Sequence, residues 1–320
     1  MKYYGESIDG YRLNFAAEAG MFALGFFLGI IGVLIDWAIG HRKKMMECSA
    51  EAIFLGLMGL CSAYALRCIL ALIGVVSYAI PVWAIWVTGI IAVLLGVMSW
   101  MWVRGMRCKL TPAEKERTFV GDDWIKPGEK HLRYDGGCTI EAAPEHIWPY
   151  IRQNGQERAG WYSYDVFERM ATFNIHNHYD IHPEWQDFEP GHYQWFHQAP
   201  LSIGEWVTEV SNDGPWYFAA HSDTATDPTY SNPGPNGEKA FKLPWMKRFC
   251  WTWNWEVYEV KPGLSRLIWR CDCTFDRYHR LNKYIVVFIL GTCSVFMGRG
   301  YFECFKKVCE GTKKYGPNRA

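Results

Sequence analysis

The sequence lacks an excess of charge of either sign, since 33 lysine and arginine residues balance 33 aspartate and glutamate residues. A chain with no net field gives no indication of a nucleic-acid partner. It also lacks CxxC pairs and regular cysteine spacing, although it holds 11 cysteines. That excludes a zinc ribbon and a disulfide framework as readings and leaves reduced, mostly buried thiols. There is no glycine-rich phosphate loop, no GxSxG elbow and no HExxH helix, so the common nucleotide, hydrolase and zinc-protease signatures are missing. The first 17 residues carry no basic region leading into a short apolar core and small-residue cleavage site, so no cleaved signal peptide is read there. After residue 104 the long uninterrupted apolar runs stop.

What is there divides at that point. Before it, three apolar stretches at about 19–39, 52–76 and 80–103 each have the length of a membrane span, about 20 residues, and define an anchor over 1–104. Basic residues flank the first loop (Arg42, Lys43, Lys44) and follow the third stretch (Arg104, Arg107, Lys109), while the second loop has none. The expected topology is an extracytoplasmic N-terminus and a cytoplasmic C-terminal domain. Two ionisable residues lie inside these stretches, Asp36 and Arg67. Asp36 falls about one turn from an aqueous interface, where snorkelling satisfies it; Arg67 lies deeper and needs Glu18, another subunit or a lipid headgroup.

Residues 105–132 are polar with Pro112, Pro127 and Gly128, and read as a linker and arm ahead of a soluble domain at 133–311 and a tail at 312–320. Thr139-Ile-Glu runs into Pro144, and Ile147, Trp148 and Ile151 recur at helical spacing, so a strand leads straight into a short helix. Gly155 and Gly160 break it before a second helical run through Phe167 and Met170. Alternation and turn punctuation then give strands at 192–198, 202–210, 216–221, 249–260 and 264–275, with a long loop at 224–242. From 281 to 311 one long helix is expected; its apolar core is too short for a comfortable fourth span.

The pattern Pro144-Glu-x-x-Trp148-Pro149, followed by Arg158-Ala-Gly-Trp-Tyr-Ser-Tyr-Asp165 and Pro183-Glu-Trp-Gln186, resembles the SRPBCC superfamily. This START-like, helix-grip group includes polyketide cyclases and lipid-transfer proteins. The resemblance covers roughly 112–311. It implies an α+β fold, a curved antiparallel sheet wrapped around a long C-terminal helix, and places no cofactor in it.

On the strands, Phe249, Trp251, Trp253, Trp255 and Val257 share one face, as do Leu267, Trp269, Cys271, Cys273 and Phe275. Such faces line either a packed core or an apolar pocket. The ligand-lining candidates are Trp161, Tyr162, Tyr164, Trp251, Trp253, Trp255, Trp269 and Phe288, with Tyr162, Tyr164, Asp165 and Asn254 as polar handles. Where members of the resembled family catalyse, pocket Tyr, Asp, His or Arg side chains steer the substrate, which nominates Arg158, Tyr164, Asp165 and His221 here. Arg158 and Asp165 could equally pair with each other. His176, His178 and His182 are the candidate metal ligands, at a spacing that matches no closed zinc site. The expected function is a membrane-anchored binding or transfer protein for a lipid-like or polyketide-like apolar molecule at the cytoplasmic face. Its partners would be membrane lipids, that small molecule and subunits met through the transmembrane helices. The alternatives are a non-catalytic subunit of a membrane complex and a cyclase, aromatase or dehydratase of an apolar substrate.

Overall fold

The structure is a computed structural model that describes residues 15–42, 46–77, 80–105, 110–125, 131–198, 202–223, 234–235, 246, 248–275 and 292–311. These fall into two compact units, one from residues 1–107 and 291–296, the other from 108–290 and 297–320.

Glycine shapes the helical unit. The expected first span is two helices, α1 (Phe15–Leu28) and α2 (Ile30–Arg42), broken at Gly29 with φ +61°, a conformation that a Cβ makes costly. Helix α2 folds back on α1. Gly56 of α3 (Met46–Leu72) lies against both the Gly25 backbone and the Asp36 carboxylate, which one continuous helix would hold about 16 Å apart. At 14 and 13 residues neither piece reaches the roughly 20 residues of a crossing. The expected three spans therefore become two: α3 carries Ala52–Leu72 and α4 (Val82–Gly105) carries Val82–Val103, stretches of 21 and 22 residues that are long and apolar enough to cross a membrane.

The fold-back also corrects Asp36. Expected at an aqueous interface, it is fully buried against Gly56, and neither carboxylate oxygen has a hydrogen-bond partner among the described residues. The glycines allow this packing: a side chain at Gly25 would enter the Gly56 carbonyl, and one at Gly59 the Phe22 carbonyl. Arg67 is exposed on α3 beside exposed Leu66 and Ile69.

The second unit is α+β. Strands β1 (Leu132–Ile140), β2 (Tyr193–His197), β3 (Ile203–Ser211), β4 (Trp216–Asp223), β5 (Phe249–Lys261) and β6 (Leu264–Phe275) form one antiparallel sheet in the order β1-β6-β5-β4-β3-β2. Between β1 and β2 come α6 (Pro144–Arg152) and α7 (Asp165–Met170), and after β6 comes α8 (Thr292–Cys309), of which 297–309 belong to this unit. Ile147, Trp148 and Ile151 form the buried stripe of α6. Tyr301, Phe302 and Phe305 of α8 pack on the inner face of the sheet, with ring centroids 5.1 Å from Trp255 to Tyr301 and 4.3 Å from Trp269 to Phe302. This is the arrangement that the helix-grip resemblance implied. The expected helical residues 281–291, Phe288 among them, and nearly all of the 224–242 loop lie outside the described residues.

The outer face of the sheet departs from expectation. Residues 110–125, read from sequence as a linker, lie across it as a strap. Helix α5 (Pro112–Glu116) opens with a capping box between Thr111 and Glu114, and the strap then crosses at Gly121, φ +90°, where a Cβ would fall 2.5 Å from Asn254 Oδ1. Glu114 receives a fork of hydrogen bonds from Arg266 at 2.8 and 3.1 Å and the Tyr258 hydroxyl at 2.6 Å. Burial by itself would raise the Glu114 carboxyl, but the Arg266 bonds and charge, with Thr111 and Tyr258, hold it below its usual range. Strand residues that alternate as a solvated face, Arg266, Arg270 and Asp272, are therefore buried and paired.

Candidate functional site

The inner face has two halves with different chemistry, set by residue size along the strands. In one half Trp148, Phe188, Phe218, Trp255, Tyr162, Tyr301 and Phe305 interdigitate and are fully buried. Phe218 stacks on Trp255 at 5.6 Å and Tyr301 on Phe305 at 4.9 Å. That half is packed core, and Tyr162, Trp255 and Trp269 belong to it.

Toward the end where β5 begins, small residues alternate with aromatic ones. Register aligns Leu132, Cys273, Trp251 and Ser222 in one row, with Glu205 and Gln194 paired in the strands beyond. The next row holds Tyr134, Cys271, Trp253 and Ala220. Phe196 of β2 and Trp161 stack on Trp253, with ring centroids 4.7 Å (Trp161 to Phe196), 5.0 Å (Phe196 to Trp253) and 5.5 Å (Trp161 to Trp253).

Glu205 is the acidic residue of this row and is fully buried. Trp251 Nε1 donates to its Oε2 at 3.2 Å, while Oε1 has no partner among the described residues. Burial pushes the carboxyl well above the ordinary range, against a smaller opposing pull from the Trp251 bond, and so favours the protonated form. Gln194 beside it donates to the Asn154 carbonyl at 3.1 Å and leaves Oε1 without a partner among the described residues. The indole N–H groups of Trp161 and Trp253 are in the same position, as are those of Trp255 and Trp269 in the packed half. The wall is thus built of rings with a few polar atoms that have no partner among the described residues.

The residues singled out from sequence divide between faces. Trp161, Trp251 and Trp253 meet at this wall, whereas Tyr162 lies in the core at φ 49°, its hydroxyl accepting from Gln153 at 2.7 Å. The Tyr164 ring lies over Gly300 of α8 and its hydroxyl donates to Glu303. Asp165 pairs with Arg169 at 2.5 Å and Arg158 with Asp187 at 2.5 Å, so the two do not pair with each other. Arg158 also donates to the Trp185 and Arg152 carbonyls, which makes it a clamp on a loop. His221 and Asn254 point to the outer face, His221 stacked on Trp124 at 4.1 Å and Asn254 donating to Asp122. Arg158, Tyr164, Asp165 and His221 thus do not converge on one reacting centre. His178 and His182 meet edge to face at 5.7 Å and both pack on Trp185, while His182 also contacts Glu184 and His176 contacts Asn174. Sequence reasoning missed Glu205 and Gln194, which sit in strands whose alternation reads as half solvated.

Fold and wall together define an α+β protein whose sheet and last helix enclose an aromatic, acid-bearing inner face. No protein-family model and no curated protein matches this sequence. Among solved structures it is similar to Ara h 8.0201, at 8% identity over 57% of this chain and 99% of that one, with a TM-score of 0.34. It is also similar to a conserved protein of unknown function, EF2215 from Enterococcus faecalis, at 10% identity over 63% and 81% with a TM-score of 0.30. A third likeness is to the Zhui aromatase/cyclase from Streptomyces sp. R1128, at 8% identity over 56% and 96% with a TM-score of 0.24. At such identities nothing of those proteins' activities transfers to this chain.

Proposed function

We propose that this chain binds an apolar molecule bearing one hydrogen-bonding group, held on the inner face of the sheet and delivered to or taken from the membrane in which the helical unit sits. The observation that carries this reading is Glu205: a fully buried acid with one oxygen fixed by Trp251 and the other unanswered among the described residues. A neutral carboxyl in an apolar wall both donates and accepts, so it suits a hydroxyl or carbonyl on an otherwise greasy ligand. Each CH₂ taken from water into such a wall gains about 0.8 kcal/mol.

The helical unit supports the membrane half of the proposal by its inverted surface. Phe27, Ile31, Leu34, Ile69, Trp83, Ile90 and Leu94 are exposed, a surface that water would not tolerate and lipid would. With α1 and α2 folded back and α3 and α4 crossing, the basic segments after α2 and α4 lie on one side, and we place the N-terminus and the sheet unit there with them, in the cytoplasm.

The test is extraction of full-length protein purified in mild detergent, with mass spectrometry of the released small molecules. A stoichiometric apolar compound in wild type that is depleted in Glu205→Leu and retained in Glu205→Gln supports the proposal. Empty preparations of folded protein from several membrane sources would remove it.

A second reading, a subunit of a larger membrane complex, is favoured by Arg67 alone. Its guanidinium is exposed on an apolar helix surface with no ion-pair partner among the described residues, and a partner helix bearing a carboxylate would satisfy it. A monodisperse single chain in native mass spectrometry would rule this out.

A further inference from the structure

We propose that His221, Asp223 and Cys250 form a binding site for a zinc-class divalent cation on the outer face of the sheet, separate from the aromatic wall. Strand geometry assembles it. His221 and Asp223 are two residues apart on β4 and therefore share a face, and the β4–β5 register sets Cys250 directly opposite Asp223. One imidazole nitrogen, one carboxylate oxygen and one thiol sulfur then lie within 4.8 Å of one another.

All three side chains are buried. Tetrahedral zinc, with bonds of about 2.0 to 2.3 Å, holds neighbouring donors about 3.4 to 3.7 Å apart. Closing the cluster onto an ion therefore takes a movement of about 1 Å, within the reach of side-chain torsions and without a change of strand register. A mixed nitrogen, oxygen and sulfur set selects borderline metals such as zinc and excludes calcium and magnesium, which take all-oxygen shells.

The surroundings orient two of the three ligands. Trp124 of the strap stacks on the His221 ring at 4.1 Å and 18°, which holds the imidazole plane. Arg248 forks the Asp223 carboxylate at 2.7 to 3.1 Å, its Nε reaching both oxygens and its Nη2 reaching Oδ2, which holds the carboxylate plane. A guanidinium on a ligating carboxylate is the kind of outer contact that fixes such ligands in place. Three protein donors leave a fourth position open to water or a small ligand. Binding converts the Cys250 thiol to a thiolate and releases its proton to solvent.

The experiment uses the full chain, purified in detergent through a tag that contains no histidine, stripped with chelator and titrated with cobalt(II). The expected result is one saturable equivalent with a near-ultraviolet thiolate-to-cobalt charge-transfer band that zinc displaces. Cys250→Ser abolishes the band, His221→Ala weakens binding at least about tenfold, and Cys273→Ser, which alters a thiol on the inner face, leaves both unchanged. Far-UV circular dichroism confirms that each variant is folded. A band that survives Cys250→Ser, or folded wild-type protein with no saturable cobalt binding, would overturn the proposal.

Discussion

Arg270 and Asp122 form an ion pair of 2.7 Å across 148 residues of sequence, with the guanidinium fully buried on the outer face of the sheet. The same guanidinium donates to Asp135 at 3.1 Å and to the carbonyl oxygens of Arg117 and Lys115, so one strand residue ties the strap down at several points. Its plane also lies 4.1 Å from the Phe119 ring.

Asp122→Ala should cost about 3 kcal/mol of unfolding free energy, because it leaves a buried guanidinium short of a counter-charge. Arg117→Ala removes a bridge to Glu256 from a guanidinium that is 43% exposed, and should cost less than about 1 kcal/mol. Denaturant unfolding of the two variants compares them. Equal effects would mean that the strap is not anchored by its buried pair.

Glu205 has a raised pKa in the folded protein, so between its ordinary value of 4.5 and the raised value the folded state binds more protons than the unfolded one. Stability from this group is present below that ordinary value and declines as pH rises. Glu205→Gln should flatten the decline and stabilise the protein at neutral pH. Melting temperatures of wild type and variant, followed as pH rises from 4.5, provide the comparison.

His192 and His197 move the other way, both pulled down to about 4, His192 by burial and the neighbouring Arg158 charge and His197 by burial. The unfolded chain binds protons near 6.5 while the folded one does not, so stability should fall as pH drops from 6.5 toward 4. His197→Phe keeps the stack on Phe173, whose ring lies 3.9 Å away, and should make acid unfolding less steep. An unchanged acid limb would show that His197 is not held neutral.

Gly59→Val would drive a side chain into the Phe22 carbonyl and force α1 away from α3. Lower thermal stability in detergent, with the sheet unit's near-UV signal intact, is the expected outcome. In sealed vesicles, tags placed at the two termini should be cleaved by protease from the same side. Cleavage from opposite sides would restore a crossing by the first apolar stretch and sink the two-span reading.

Much of the sheet unit is legible in the sequence because its signals are local. Alternation marked β4, β5 and β6 to within two residues, and the two aromatic rows of Trp251 to Val257 and Leu267 to Cys273 do share the inner face. Pro144 and the Ile147, Trp148, Ile151 stripe marked α6. Hydropathy, by contrast, counts apolar residues without direction. It read 19–39 as one rod, and the left-handed turn at Gly29 that breaks it depends on what α3 offers both halves. Glu205 escaped notice for a related reason: a strand acid looks solvated until its neighbours across two strands are known.

By itself the chain's order of residues determined the strands, the short helices, the aromatic face and the two helices long enough for a bilayer, because each follows from spacing within a few residues. Tertiary structure alone decided that the polar stretch at 110–125 is a strap, that Asp36 is buried, that Glu205 is buried against Trp251, and that His221, Asp223 and Cys250 are neighbours. Those outcomes rest on contacts between residues far apart in sequence, where burial converts a charge that would be ordinary in water into one that must find a partner or a proton.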